Sequence, residues 1–409
     1  WVVWGCLAAA FFIVFFHRYS TAVVAEELML ALNLSGAQLS NLASMYFYAY
    51  ALMQIPSGIL ADYLGPRRTA AYGMIAAALG SLLFGLATTA FMAYTGRLIV
   101  GVGVSVIFVS TLKVQSVWFK AREFAFISGL TAVVGNAGGI SATVPLALTV
   151  VALGWRSAFW LTALVSMFIA ALILLYVRDR PQDLNLPPQN IIGITLPIKV
   201  WDGVMNVVSN FQTWKGTVIL AGVMGGITSI SGLWGIPYLM HVYDLSKTQA
   251  SSYVLAMTLG VIVGSPLMGY LADKLGRRKP ILLTGSAVYT LSWVGILFIG
   301  NGRLSLPLLY TLLFAAGLSG VSFILTFATA KEANHPSLSG IATSVVNTGG
   351  FLGAALLNIV IGIMLDSRWA GVYRGGVKVY SLSAYRAGFS LYLMGGLLAF
   401  LVSLTLQEK

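Results

Sequence analysis

Residues 58–68 read GILADYLGPRR, and residues 269–279 read GYLADKLGRRK, an offset of 211 in a chain of 409. Each copy follows a long apolar run. Each contains Gly-x-Leu-Ala-Asp, then Leu-Gly, then paired cations. A second stretch obeys the same offset. Ser128, Gly129, Asn136, Gly138 and Gly139 return as Ser339, Gly340, Asn347, Gly349 and Gly350. Two distant stretches sharing one offset make the chain a duplicated structure, with the same charged hinge in each half.

Composition supplies the solvent. The chain is 58% hydrophobic and 9% charged, with mean hydropathy +0.88, whereas a soluble domain carries roughly 25% charged residues. Water cannot solvate such a surface, so lipid must. One crossing needs about 20 apolar residues, and such runs cover 3–30, 38–62, 67–88, 92–117, 123–150, 156–177, 214–241, 248–273, 279–299, 305–330, 338–365 and 385–406. These are spans 1 to 12. Several exceed the minimum, as tilted or bent helices do, and Pro56, Pro145, Pro237 and Pro266 mark candidate bends.

The net charge of +12 does not indicate nucleic acid, because the cations sit in short loops beside spans. With both termini cytoplasmic, about fourteen Lys/Arg face the cytoplasm and about seven the other side. The cytoplasmic set includes Arg67, Arg68, Arg122, Arg277 and Arg278. The single cysteine, Cys6, excludes an internal disulfide. An enzyme would need a converging nucleophile, metal or acid–base set. The chain has three histidines and lacks HExxH, GxSxG and paired intramembrane carboxylates. No cofactor or metal is expected. The first run exceeds signal-peptide length and lacks a basic start, so no cleavable signal is expected.

The domain reading is a six-helix bundle over 1–178, a cytoplasmic linker over 179–213 and a second six-helix bundle over 214–409. The linker opens Pro-rich; its later part alternates apolar and polar residues, as an interfacial helix does.

Two six-span halves joined by a linker, with this loop after spans 2 and 8, resemble the major facilitator superfamily. Its loop reads roughly G-x-x-x-D-x-x-G-R-[RK]. Gly58, Asp62, Gly65, Arg67 and Arg68 match in the first half, with Pro66 before the arginines. Gly269, Asp273, Gly276, Arg277 and Arg278 match in the second. RLIVGVG, with Arg97, Gly101 and Gly103, resembles the family's span-4 motif. Span 5 departs from it: family antiporters often carry Gly-Pro-x-x-Gly-Gly there, and this chain has GNAGG without the proline. GNAGG resembles a nitrate-carrier signature, but the arginines of spans 2 and 8 that such carriers use are absent.

The resemblance implies an all-α membrane protein of 12 transmembrane helices in two bundles around a central cavity, working by alternating access. It also implies that Asp62 and Asp273, with Arg67, Arg68, Arg277 and Arg278, hold the cytoplasmic side shut. A carboxylate at a helix C-terminus is disfavoured by the macrodipole, so these aspartates need cationic partners. The glycine pairs of spans 4, 5 and 11 let helices pack closely.

Charge in the membrane is one-sided. Arg18, Arg97 and Lys113 lie inside spans of the first half, while none of the twelve acidic residues falls in the middle third of a span. Each central cation costs about 2.5–3.5 kcal/mol on insertion scales, and an anionic substrate is the economical compensation. Arg18 leads, flanked by His17 and Tyr19; family members carrying organic anions often place a cation there. Tyr46, Tyr50 and Gln54 share a face of span 2, and Trp234, Tyr238 and His241 a stripe of span 7. Both sets can complete the pocket, and aromatic packing or an interfacial belt accounts for them equally.

The expected function is a secondary transporter of a small organic anion, a carboxylate above all. Proton symport through His17 or the substrate's own carboxyl, uniport and exchange all stay open. The alternatives are an exporter of an amphipathic or neutral compound, and a non-transporting sensor of the same fold. A monomer in a bacterial inner membrane is expected, its partners being the lipid bilayer and a small anion, not nucleic acid.

Overall fold

A computed structural model describes the chain except residues 121–122, 185–186, 188–199, 336–337 and 408–409. Arg122 and the middle of the linker therefore lie outside the described residues. What is described is nearly all helix, with one two-stranded hairpin, Tyr373–Arg374 and Val377–Lys378. Among the described residues, ten helical stretches are long and apolar enough to cross a membrane. Predicted spans 2 and 3 are helical too: Gly36–Leu52 continued by Gln54–Leu64, and the alanine-rich Pro66–Gly85.

Proline chemistry sets most of the helix breaks. A proline lacks its N–H, and its ring crowds the carbonyl four residues earlier. Span 2 breaks at Met53, beside the Leu52 carbonyl that Pro56 crowds. Span 5 stops at Ser141, four residues before Pro145, and restarts as Val144–Leu153. In span 7 the α-helix Phe211–Ser229 gives way to one π turn, Ile230–Trp234, before Gly235–Tyr243, and Pro237 crowds Leu233 within that turn. At Pro266 the helix is not interrupted, and Lys247–Leu275 runs across it.

Helix ends are capped locally. Thr89 accepts the Met92 N–H at the start of span 4 (Ala90–Trp118). Ser246 and Gln249 form a reciprocal capping box on span 8, which satisfies two otherwise orphaned backbone donors. The linker's last part folds as the helix Val200–Ser209, with Trp201 and Met205 exposed and Val204 and Val207 buried. Asn210 ends it by capping span 7 and donating to the Ala333 carbonyl.

The chain divides into two compact units, 1–20 with 48–196 and 21–47 with 197–409. The grouping departs from the chain halves at residues 21–47, which bond with the second set. In unit 1, span 3 packs on span 4 and on span 6 (Trp155–Tyr176). In unit 2, span 9 (Lys279–Phe298) packs on spans 10 and 12 in the same pattern, and span 7 packs on span 11 (Ser339–Ser367). The repeated glycines carry this packing. A Cβ on Gly138 would collide with the Phe12 carbonyl of span 1, and one on Gly349 would lie 2.7 Å from the Thr217 carbonyl of span 7. Spans 5 and 11 thus meet spans 1 and 7 through the same motif.

Candidate functional site

The first motif copy straddles the junction of Gln54–Leu64 and Pro66–Gly85. Gly65 has φ +82°, and a side chain there would meet the Asp179 carboxylate at 2.5 Å. Pro66 opens the next helix, where its missing N–H costs nothing. The Arg67 backbone N–H donates to Asp179 Oδ1 at 2.7 Å, which puts a carboxylate at a helix N-terminus, where the dipole favours it. The Arg67 guanidinium bonds the Leu174 carbonyl. Asp179 closes this hinge, and the sequence reading missed it.

Asp62 was expected to pair with Arg67 or Arg68. Its partner is Lys113, whose Nζ lies 2.7 Å from Asp62 Oδ1 and 2.8 Å from the Ala61 carbonyl. Lys113 sits in the last third of span 4, one helix across from Asp62, so its long stem reaches the carboxylate at the membrane edge. The expectation of an uncompensated cation therefore fails at Lys113. Arg68 is exposed.

The second copy is wired differently. Gly276 ends span 8 in the left-handed conformation at φ +61°. Arg278 pairs with Glu332, another residue the sequence reading missed, while Asp273 and Arg277 are exposed. Nothing lies within 4 Å of a Cβ built on Gly58 or Gly269.

Inside unit 1, span 1 carries His17 and Arg18 and span 4 carries Arg97. His17 is fully buried, and Arg97 is 1% exposed. Arg97 Nη2 donates to the His17 carbonyl at 3.0 Å, tying span 4 to span 1 beside Arg18. Neither ring nitrogen of His17 has a hydrogen-bond partner among the described residues. The Arg18 guanidinium lies 4.4 Å from the Phe15 ring centroid and 5.7 Å from that of Tyr50, a span-2 side chain. Gln54, buried one turn on from Tyr50, turns its Nε2 back to the Tyr50 carbonyl. His17, Arg18, Tyr50 and Arg97 are thus brought together in unit 1; Lys113 is not, being held at the hinge.

In unit 2, Tyr46, Trp234 and Tyr238 are buried. Trp234 Nε1 points at the Asn358 carbonyl of span 11. Tyr238 packs edge-on against Tyr385 and Phe389. His241 bonds Glu26 through Nε2 at 3.2 Å and Tyr385 through Nδ1 at 2.9 Å. A buried polar network lies beside this stripe: the Ser229 hydroxyl contacts Asn358 Oδ1 at 2.6 Å and the Tyr392 hydroxyl at 2.8 Å. No motif flagged it, because Asn and Ser inside apolar runs read as helix-packing residues.

Two repeats of one helical plan, glycine-packed spans, hinges built from carboxylates and arginines, and polar groups buried in the bundles define a polytopic membrane transporter rather than an enzyme. The Major Facilitator Superfamily model matches residues 7–234 and 216–408, so the chain belongs to that superfamily. The "Membrane sensor protein UhpC" of Salmonella typhimurium is 26% identical over 407 residues, covering 93% of this chain and 87% of that protein. The "Probable sulfoacetate transporter SauU" of Cupriavidus necator is 28% identical over 181 residues, 44% of this chain and 42% of that one. Among solved structures, the nucleoside transporter NupG superposes with TM-score 0.74 at 13% identity, covering 100% of both chains.

Proposed function

We propose that this protein is a secondary transporter of a small organic anion, a carboxylate above all, working by alternating access. The carrying observation is Arg18 of span 1: an arginine 8% exposed, facing the rings of Phe15 and Tyr50, in a chain with no acidic residue in the middle third of any span. His17 and Tyr50 add neutral hydrogen-bonding groups beside it, and Arg97 positions it through the His17 carbonyl. Lys113 leaves the list of anchors and joins the hinge with Asp62. The likeness to a sulfoacetate transporter supports an anionic cargo.

In unit 2, Tyr46, Trp234 and Tyr238 are the phenol and indole groups offered for cargo contact in this reading. The hinge set is Gly58, Asp62, Gly65, Arg67 and Arg68, with Gly269, Asp273, Gly276, Arg277 and Arg278. Both termini lie in the cytoplasm, the membrane is a bacterial inner membrane and the protein acts as a monomer. Proton symport, uniport and exchange are all compatible with this site.

A second reading, a sensor that binds without carrying, is favoured by the likeness to UhpC over 93% of the chain. The test has two stages. A thermal-shift screen of carboxylates, sulfonates, sugar acids and phosphates on purified protein identifies ligands, and labelled flux of the hits in proteoliposomes follows. Carboxylate binding with flux supports the proposal. Binding without flux selects the sensor, and stabilisation by neutral amphiphiles alone overturns the anion.

A further inference from the structure

The ends of spans 1 and 2 away from the hinges are bonded into unit 2 along one continuous seam. Ala25–Leu32 carries Glu26 and Glu27 in its first turn. Asn33 closes it in the left-handed conformation at φ 50°, and Gly36 opens span 2. Asp366, at the end of span 11, accepts the Gly36 N–H at 3.1 Å and the Ala37 N–H at 2.8 Å. A carboxylate at the C-terminal end of its own helix is unfavourable, and one at another helix's N-terminus is favourable. The residue therefore gains by this contact what its own helix denies it. Tyr380 donates its hydroxyl to the same carboxylate at 2.8 Å, and Lys378 stands 3.3 Å away.

Below this point spans 2 and 11 stay in register. A Cβ on Gly362 would lie 2.6 Å from the Gly36 carbonyl. Ser44 donates to the Ala355 carbonyl at 3.1 Å, and Phe47 stacks on Phe351. Beside it, Glu27 pairs with Lys247 of span 8, and Glu26 with His241 of span 7. His241 Nδ1 faces the Tyr385 hydroxyl and, at 3.5 Å, the Tyr380 N–H. With Nδ1 facing these two donors, Nε2 is the nitrogen that donates to Glu26, and the imidazole completes the chain of bonds. Burial first, and then the Asp366 carboxylate, push the Tyr380 phenol far above its ordinary range, so it remains a donor.

We infer that Asp366 is the keystone of a latch holding the far ends of spans 1 and 2 onto spans 7, 8 and 11, and that opening this side of the protein requires its two backbone bonds to break. Glu26 with His241 and Glu27 with Lys247 are its side clamps. The latch is independent of the cargo and does not rest on the anion reading.

The test measures distance in the full-length protein in nanodiscs without substrate. Cys6 is replaced by serine, and spin labels are placed at Ala31→Cys and Ser383→Cys, both exposed positions. The parent should give mainly one short separation. Asp366→Asn keeps the shape but cannot accept the Ala37 N–H with its amide nitrogen. It should raise the ratio of long to short separations about tenfold, as expected for losing a charge-assisted bond. An unchanged distribution in monodisperse Asp366→Asn overturns the keystone. If that variant does not purify as a monodisperse species, the pair Glu26→Gln and Glu27→Gln decides. A shift toward long separations supports the latch, and none overturns it.

Discussion

Replacing Arg18 by glutamine separates an anchoring cation from a structural one, because the two roles predict stability changes of different size. In the ligand-free protein the Tyr50 hydroxyl bonds Arg18, a contact a glutamine amide can take over, and two further terms compete. The guanidinium over Phe15 at 4.4 Å contributes about 2 kcal/mol when desolvated. Holding the charge in the membrane costs about 2.5–3.5 kcal/mol on insertion scales. They nearly cancel, so the variant without ligand should lie within about 1–2 kcal/mol of the parent. A bound carboxylate has no such cancellation. A hydrogen bond to a charged group is worth about 1.5–3 kcal/mol, and each 1.4 kcal/mol is about tenfold in affinity, so the dissociation constant should rise about 10–150-fold. At a ligand concentration of about 100 times the parent's constant, stabilisation is about 2.7 kcal/mol. A 100-fold weaker variant keeps only about 0.4 kcal/mol under the same conditions. The assay is thermal unfolding in detergent, with and without the carboxylate found by screening. Unchanged ligand stabilisation, or a ligand-free loss above about 3 kcal/mol, would refute the anchor.

The hinge and the buried network give three further outcomes. Asp62→Asn and Lys113→Gln should each change conformational balance, read by cysteine accessibility labelling, while costing under about 1 kcal/mol of stability, because Asp62 is 78% exposed. Equal labelling in parent and variants would remove the hinge role. Asp179→Ala orphans the Arg67 N–H and should cost about 1–2 kcal/mol in thermal unfolding; Asp179→Asn, which keeps an acceptor, should recover part of that loss. Ser229→Ala strips Asn358 and Tyr392 of a shared hydroxyl inside unit 2 and should cost about 2–4 kcal/mol. A loss below about 0.5 kcal/mol would mean the network rearranges without penalty.

What the sequence made legible was whatever a local pattern can encode. Apolar runs located the helices, the 211-residue repeat located the duplication, and Pro56, Pro145 and Pro237 located the breaks. Pro266 escaped because a single span can absorb a proline when neighbouring groups take up the freed carbonyl. Burial of Arg18, His17 and Arg97 was legible from their places within spans. Partners were not. Asp179 meets Arg67 across 112 residues, and Asp366 meets Gly36 across 330; no spacing rule links them. Lys113 looked unpaired because its carboxylate stands on another span, one the sequence marked as a hinge residue with different partners.

The two motif copies share a sequence and differ in wiring, and the difference bears on how the molecule moves. In the first half, Lys113 of span 4 holds Asp62, and Asp179 holds the next helix. At the offset of Lys113 the second half has Ile324, and it uses Glu332 of span 10 to hold Arg278 instead. Both arrangements place their ion pairs at exposed span ends, where such a pair is worth about 0–1 kcal/mol and can exchange partners at little cost. The interior is built the other way. Ser229, Asn358 and Tyr392 are buried and mutually bonded, and losing one member strands the others. Glycine contacts such as Gly138 on Phe12 leave no room for helices to slide within a bundle. Stiff bundles with soft ends favour motion by each bundle as a body, with the hinge residues changing partners as it turns.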